Sequence, residues 1–174
     1  MPLPAQSGTP TLLPDGRTPA VYVDFGFSYL YPLGRFSDTA PPAPGPTVEA
    51  RLLLKSLPRL EAGLLVGYVP VEGREPEIDD GSLAPVLGTL RFTLLEDSWF
   101  LLSAVGGIGG VHTSLDLDQD GIDAFQFASS LGLEYRLTLG RLFVASAGWS
   151  FLFIFEDAGP LGSLLFPLQA GIGL

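Results

Sequence analysis

The chain has 174 residues, a length that suits a single domain. Hydrophobic residues make up 47% of it and charged residues only 16%, against about 25% in ordinary soluble domains. The net charge of −10 argues against nucleic-acid binding, which needs clustered Lys and Arg, and the lack of cysteine excludes disulfides and thiolate metal sites.

A leader and eight strand-like segments follow one another along the sequence. Residues 1–19 are rich in Pro, Gly, Ser and Thr without periodicity, which predicts a flexible leader, and residues 20–174 form the predicted barrel domain. The leader has no basic start or apolar stretch of a signal peptide, so for an exported protein we expect a mature chain restarted with methionine. The segments of period two are 21–31, 48–55, 60–69, 85–95, 99–111, 125–136, 141–155 and 164–174.

Membrane-spanning helices are a poor explanation for this apolar composition. Mean hydropathy is +0.37, yet the longest run without Asp, Glu, Lys or Arg, residues 98–115, holds four glycines within five residues. The next apolar stretches are short or broken by Pro160 and Pro167. A closed barrel is the other way to satisfy every backbone group in lipid, and eight strands of about ten residues have the length that a tilted membrane strand needs.

The connections between the segments differ in length in a regular way. Those at 56–59, 96–98 and 138–140 are tight, whereas those at 34–47, 70–84 and 114–124 are long, and 156–163 is intermediate. Short turns on one rim and long loops on the other are typical of outer-membrane barrels, and an even strand number leaves both termini on the short-turn side.

The side-chain types on the two strand faces decide which face points inward. A soluble lipocalin-like barrel has the same alternation with its apolar face inside, and its outer face carries many charges. Here the polar face is mostly Gly, Ser, Ala and Thr with single charges, which suits the narrow lumen of an eight-stranded membrane barrel. The aromatic residues form two expected interfacial girdles: Tyr29, Tyr31, Tyr68, Phe125, Phe127, Phe153 and Phe155 on the loop side, and Trp99, Phe100, Tyr135 and Phe143 on the turn side.

In this pattern, residues 20–174 resemble the small outer-membrane barrels of the outer membrane protein A, X and W types. The resemblance implies an all-β, eight-stranded antiparallel up-and-down transmembrane barrel in the bacterial outer membrane. Such barrels usually end on an aromatic residue read by the assembly machinery, whereas this chain stops at Gly171-Ile172-Gly173-Leu174. Either the last residues were trimmed or the insertion signal differs.

Charged residues on the predicted inner face are the first candidates for function. We expect Asp24, Arg51 and Arg91 near mid-depth. Four further charges are expected nearer the turns: Lys55, Glu61, Glu134 and Arg136. An unpaired buried charge is costly, so these residues are expected to form salt bridges that plug the barrel, or alternatively a gated polar pore whose pairs exchange. The full predicted lumen network is Asp24, Glu49, Arg51, Lys55, Glu61, Arg91, Glu134 and Arg136.

The segment 116–123 has carboxylates at the spacing of a calcium loop. Asp116, Asp118, Asp120 and Asp123 surround Gly121, and this pattern can wrap oxygen ligands around a hard cation. The twelfth position is Phe127 rather than the bidentate Glu of an EF-hand, so the segment is either a calcium-ordered loop or a solvated turn.

Acidic residues concentrate on the predicted loop rim. They could share divalent cations with lipopolysaccharide phosphates or keep the loops solvated. The rim acids are Asp38, Glu72, Glu75, Glu77, Asp79, Asp80, Asp116, Asp118, Asp120, Asp123, Glu156 and Asp157, against Arg35 and Arg74.

His112-Thr113-Ser114 is the candidate for nucleophilic catalysis. Residues two apart on a strand share a face, and Glu134 or a loop Asp could orient the imidazole. The pair resembles the His-x-Ser of the lipid A 3-O-deacylases, although in that family it lies in a later strand within a longer motif that this chain lacks.

These observations predict a non-enzymatic outer-membrane scaffold whose acidic loops bind a partner or divalent cation. The alternatives are a narrow channel for small or apolar solutes, as in the W-type barrels, and a lipid A esterase that uses His112 and Ser114. We expect a monomer in contact with outer-membrane lipid and lipopolysaccharide, with no cofactor except calcium at 116–123.

Overall fold

A computed structural model describes residues 21–54, 57, 59–72, 78–97, 99–117, 122–139, 142–156 and 159–174. The predicted leader, 1–19, lies outside these ranges. Nine strands and one short helix follow in chain order: β1 Val21–Leu33, α1 Arg35–Thr39, β2 Ala43–Leu53, β3 Leu60–Gly67, β4 Val69–Glu72, β5 Ile78–Glu96, β6 Phe100–Leu117, β7 Ile122–Leu139, β8 Phe143–Glu156 and β9 Gly159–Gly173.

The strands form a closed antiparallel barrel. Strands that follow one another along the chain pair, except that β3 pairs with β5 instead of β4. β1 pairs with β9, from Tyr22 opposite Gly173 to Leu33 opposite Gly162. β3 and β4 both pair with β5 and are separated only by Tyr68, so together they make one interrupted barrel strand. The chain therefore has the predicted eight-stranded up-and-down architecture, in which the first and last described strands pair and close the sheet.

The strands extend further on the loop side than the sequence predicted. β2 begins at Ala43, β5 at Ile78 and β7 at Ile122, inside segments assigned to the long loops, and the helix α1 was not predicted. The start of β2 lies within the predicted loop 34–47 and is rich in Pro and Gly, residues that are unusual inside a sheet. The Pro46 carbonyl accepts a hydrogen bond from the Tyr68 amide at 3.0 Å, so Pro46 directs its backbone polar atoms toward β3 and β4. Regular β2–β3 pairing ends at Thr47, so the ladder does not need the N–H that Pro46 lacks.

Burial alternates along the strands with polar residues inside and large apolar residues outside. In β1, Asp24 has no exposed surface, whereas Phe25 and Phe27 are 59% and 64% exposed. The same arrangement occurs in β7, where Glu134 is buried and the apolar residues Leu131, Tyr135 and Leu137 on the opposite face are exposed. A barrel in water cannot leave so many aromatic and aliphatic side chains outside while charges fill its interior, so the outer face is a lipid-facing belt.

Among the described residues, no helix is long and apolar enough to cross a membrane.

Candidate functional site

The turn-side half of the barrel lumen is filled by charged side chains. The seven described members of the predicted network, on β1, β2, β3, β5 and β7, are each no more than 6% exposed: Asp24, Glu49, Arg51, Glu61, Arg91, Glu134 and Arg136. The eighth, Lys55, lies outside the described residues. Three arginines face four carboxylates, so the network has a formal charge of −1 if all its members are ionised.

Arg51 joins three strands at one end of this cluster. Its guanidinium binds the Asp24 carboxylate through Nε and Nη2, and its Nη1 lies 3.2 Å from Glu61 Oε2 and 3.7 Å from Glu134 Oε1. Since Arg51 is 2% exposed, these contacts replace the water that its charge would otherwise need.

Arg91 forms the second centre of the network. Its Nη1 and Nη2 donate to both oxygens of Glu49 at 2.6 and 2.5 Å, the bidentate geometry that guanidinium and carboxylate favour. Its Nε donates to Glu134 Oε2 at 3.0 Å, and the Thr89 hydroxyl donates to Glu49 Oε1 at 2.6 Å. Glu49 therefore depends on Arg91 for its closest charge compensation.

Arg136 links the two centres. Its two terminal nitrogens each lie 2.8 Å from an oxygen of Glu61, and Nη2 also lies 3.2 Å from Glu134 Oε1. The guanidinium carbons of Arg51 and Arg136 lie 5.5 and 5.8 Å from the centre of the Tyr22 ring, which closes the cluster toward the turns through cation–π contacts. The residues expected at two depths thus meet in one continuous network.

Two glycines make room for these side chains. A Cβ on Gly171 would overlap the Asp24 carboxylate, and one on Gly63 would lie 2.6 Å from Thr89 Oγ1 and 3.0 Å from Glu49 Oε1. The narrow lumen of an eight-stranded barrel therefore holds these long charged side chains only because small residues stand beside them on the inner face.

The loop-side half of the lumen is apolar, a feature that was not predicted. Its buried residues form one cluster: Leu30, Phe36, Ala40, Ala43, Val69, Val71, Leu83, Leu87, Val111, Ala128, Leu152, Ile154 and Leu165. The sequence contains a sign of this apolar half, because Leu30, Leu152 and Ile154 occupy inward-facing positions of their strands. A cavity of about 50 Å³ separates the cluster from the charges, and a larger one of about 350 Å³ lies at the loop-side mouth.

The structure brings His112 to Asp123 rather than to Ser114. His112 is exposed on the outer face of β6, and its Nε2 lies 2.5 Å from Asp123 Oδ1 on β7. Nucleophilic activation would need an imidazole nitrogen beside the Ser114 hydroxyl. The described contacts of this imidazole include the carboxylate and no bond to Ser114.

The predicted calcium segment is mostly outside the described residues. Asp118 and Asp120 lie beyond them, as does the side chain of Asp116, whose backbone belongs to β6. Asp123 is on β7, so the strands extend into the predicted loop. The described part of the chain holds no group of three or more potential metal ligands, and calcium binding stays a prediction.

Comparisons with solved structures identify the fold. Neisserial surface protein A matches with a TM-score of 0.64 and 13% identity over 88% of this chain and 95% of that chain. Ail of Yersinia pestis gives 0.58 and 14% over 88% and 97%, and the N-terminal β-barrel domain of Pseudomonas aeruginosa OprF gives 0.58 and 11% over 90% and 98%. No protein-family model matches the chain, and no curated protein does. The chain has the fold of the small eight-stranded outer-membrane β-barrels.

Proposed function

We propose that this chain is a non-enzymatic barrel of the bacterial outer membrane that acts as a closed, non-conducting envelope scaffold. The observation that carries the proposal is the continuous network of seven buried charged residues across the turn-side lumen. A conducting pore needs a water-filled path, whereas these side chains bind one another across the interior and are almost fully buried.

The outer face supports the membrane part of the proposal. Exposed aromatic residues lie toward both strand ends, such as Phe127 and Phe155 on the loop side and Tyr135 and Phe143 on the turn side, as expected for interfacial girdles. Lipid and lipopolysaccharide are the partners that fit this belt. One chain closes all the described strands into a barrel, which favours a monomer.

Planar-bilayer recording tests the closed state. We expect no stepwise currents from the purified, reconstituted chain, because the network leaves no continuous aqueous path. A heat-dependent shift of the folded band in detergent gels would establish that the sample is a folded barrel. Reproducible steps whose size changes in Arg51→Ser or Arg91→Ser would contradict the scaffold and favour the narrow-channel alternative.

A further inference from the structure

The 350 Å³ cavity at the loop-side mouth has the size and lining of a small-molecule site. Its walls are apolar side chains from α1, β4, β5, β8 and β9: Phe36, Val71, Leu83, Ile154 and Leu161. Phe36 and Ala40, at and just after α1, are 7% and 2% exposed, so this segment covers part of the mouth. The wall suits an aliphatic chain better than a polar solute.

One edge of the cavity is polar and ordered by hydrogen bonds. The Thr113 hydroxyl donates to Gln126 Oε1 at 2.9 Å, and Gln126 Nε2 donates to Glu156 Oε1 at 2.7 Å. The chain of bonds ends on a carboxylate, an acceptor, which favours a ligand head group that donates a hydrogen bond and disfavours an anionic head. Arg35 also lines the mouth, where its Nη2 donates to the Gly159 carbonyl at 3.5 Å.

The cavity lies at the height of the loop-side aromatic girdle and has a closed floor. In β8, the inward side chain of Ile154 lies between the outward rings of Phe153 and Phe155, so it is at the depth of the girdle. Ile154 is also paired with Leu161, which lines the same cavity. Toward the turns, Leu87 is 2% exposed and lines the smaller cavity, which the charge network borders. A molecule in the mouth cavity would be held at a dead end rather than conducted.

We propose that this mouth cavity binds a single-chain aliphatic amphiphile whose head group donates a hydrogen bond, as an alcohol does. The aliphatic chain contacts the Phe36–Leu83–Ile154 wall, and the hydroxyl donates to Glu156. The proposal concerns ligand binding and goes beyond the scaffold role, which the conductance experiment tests separately.

Methyl NMR of the intact chain in lipid nanodiscs, labelled at isoleucine, tests this site. Ile154 reports the cavity, and Ile108, 66% exposed on the lipid face, reports partition into the bilayer. With 1-octanol as probe, we expect saturable shifts of the Ile154 methyl and only small, linear shifts of Ile108. Octanoate should bind about tenfold more weakly, because its head cannot donate and meets the Glu156 carboxylate.

Matched variants separate the site from general lipid effects. Ala40→Phe fills the cavity and should remove the saturable shift, whereas Ala170→Phe, at an exposed outer position, should leave it unchanged. Glu156→Gln should reduce the discrimination between octanol and octanoate. Parallel linear titration of Ile154 and Ile108 would overturn the site. Octanoate binding as tightly as octanol, with loss of that binding in Arg35→Gln, would overturn the head-group assignment.

Discussion

Replacement of Arg91 by methionine is expected to lower the free energy of unfolding by about 3–5 kcal/mol, the cost of removing one partner from a buried ion pair. The substitution keeps an apolar chain of similar length but leaves Glu49 without its bidentate partner. Among the described residues, the Thr89 hydroxyl then remains as the hydrogen-bond donor to that carboxylate. Glu134 is affected less, because Arg136 and Arg51 still lie beside it.

Urea unfolding of the barrel in lipid vesicles, followed by tryptophan fluorescence, measures this loss. Arg59→Met is the matched control, because Arg59 is exposed beside the turn between β2 and β3 and its replacement should change stability by no more than about 0.5 kcal/mol. Adding Glu49→Gln to Arg91→Met should restore part of the stability by removing the uncompensated charge. Equal losses for Arg91→Met and Arg59→Met would mean that the network does not stabilise the fold.

A charge on the lipid-facing belt is the second large perturbation. Leu131 is 64% exposed at the middle of β7, and Leu131→Arg should cost about 2–4 kcal/mol, because an arginine at the bilayer midplane loses its hydration. The matched control is Leu139→Arg at the turn-side end of the same strand, where the side chain is 57% exposed and the expected cost is about 0–1 kcal/mol.

The same vesicle-based unfolding experiment tests whether the outer face contacts lipid. If this outer face contacted water instead, both leucines would be solvated, and replacing either by arginine would change stability little. Equal, small effects at Leu131 and Leu139 would therefore contradict the lipid-facing belt. A large effect at Leu131 alone would support it, since only depth in the bilayer distinguishes these two exposed positions.

The alternation of side chains was sufficient to predict the faces of the strands. Neighbouring side chains in a strand point to opposite faces, so the inward direction of Asp24, Arg91 and Glu134 follows from local sequence once the lipid-facing side is recognised. Strand ends were less predictable. The start of β2 lies in the predicted loop 34–47, and only the end of the β2–β3 pairing at Thr47 explains why a strand accommodates Pro44 and Pro46.

The sequence by itself determined the eight-stranded barrel and the polar character of part of its inner face, because both depend on a local period and on residue type. Only the tertiary structure decided which charges meet: Arg136 binds Glu61 across 75 positions of the chain, a contact set by barrel closure and strand stagger. The same holds for the mouth cavity. Phe36 on α1 and Ile154 on β8 line the same cavity although they are far apart in the chain, and local sequence does not determine which distant residues meet.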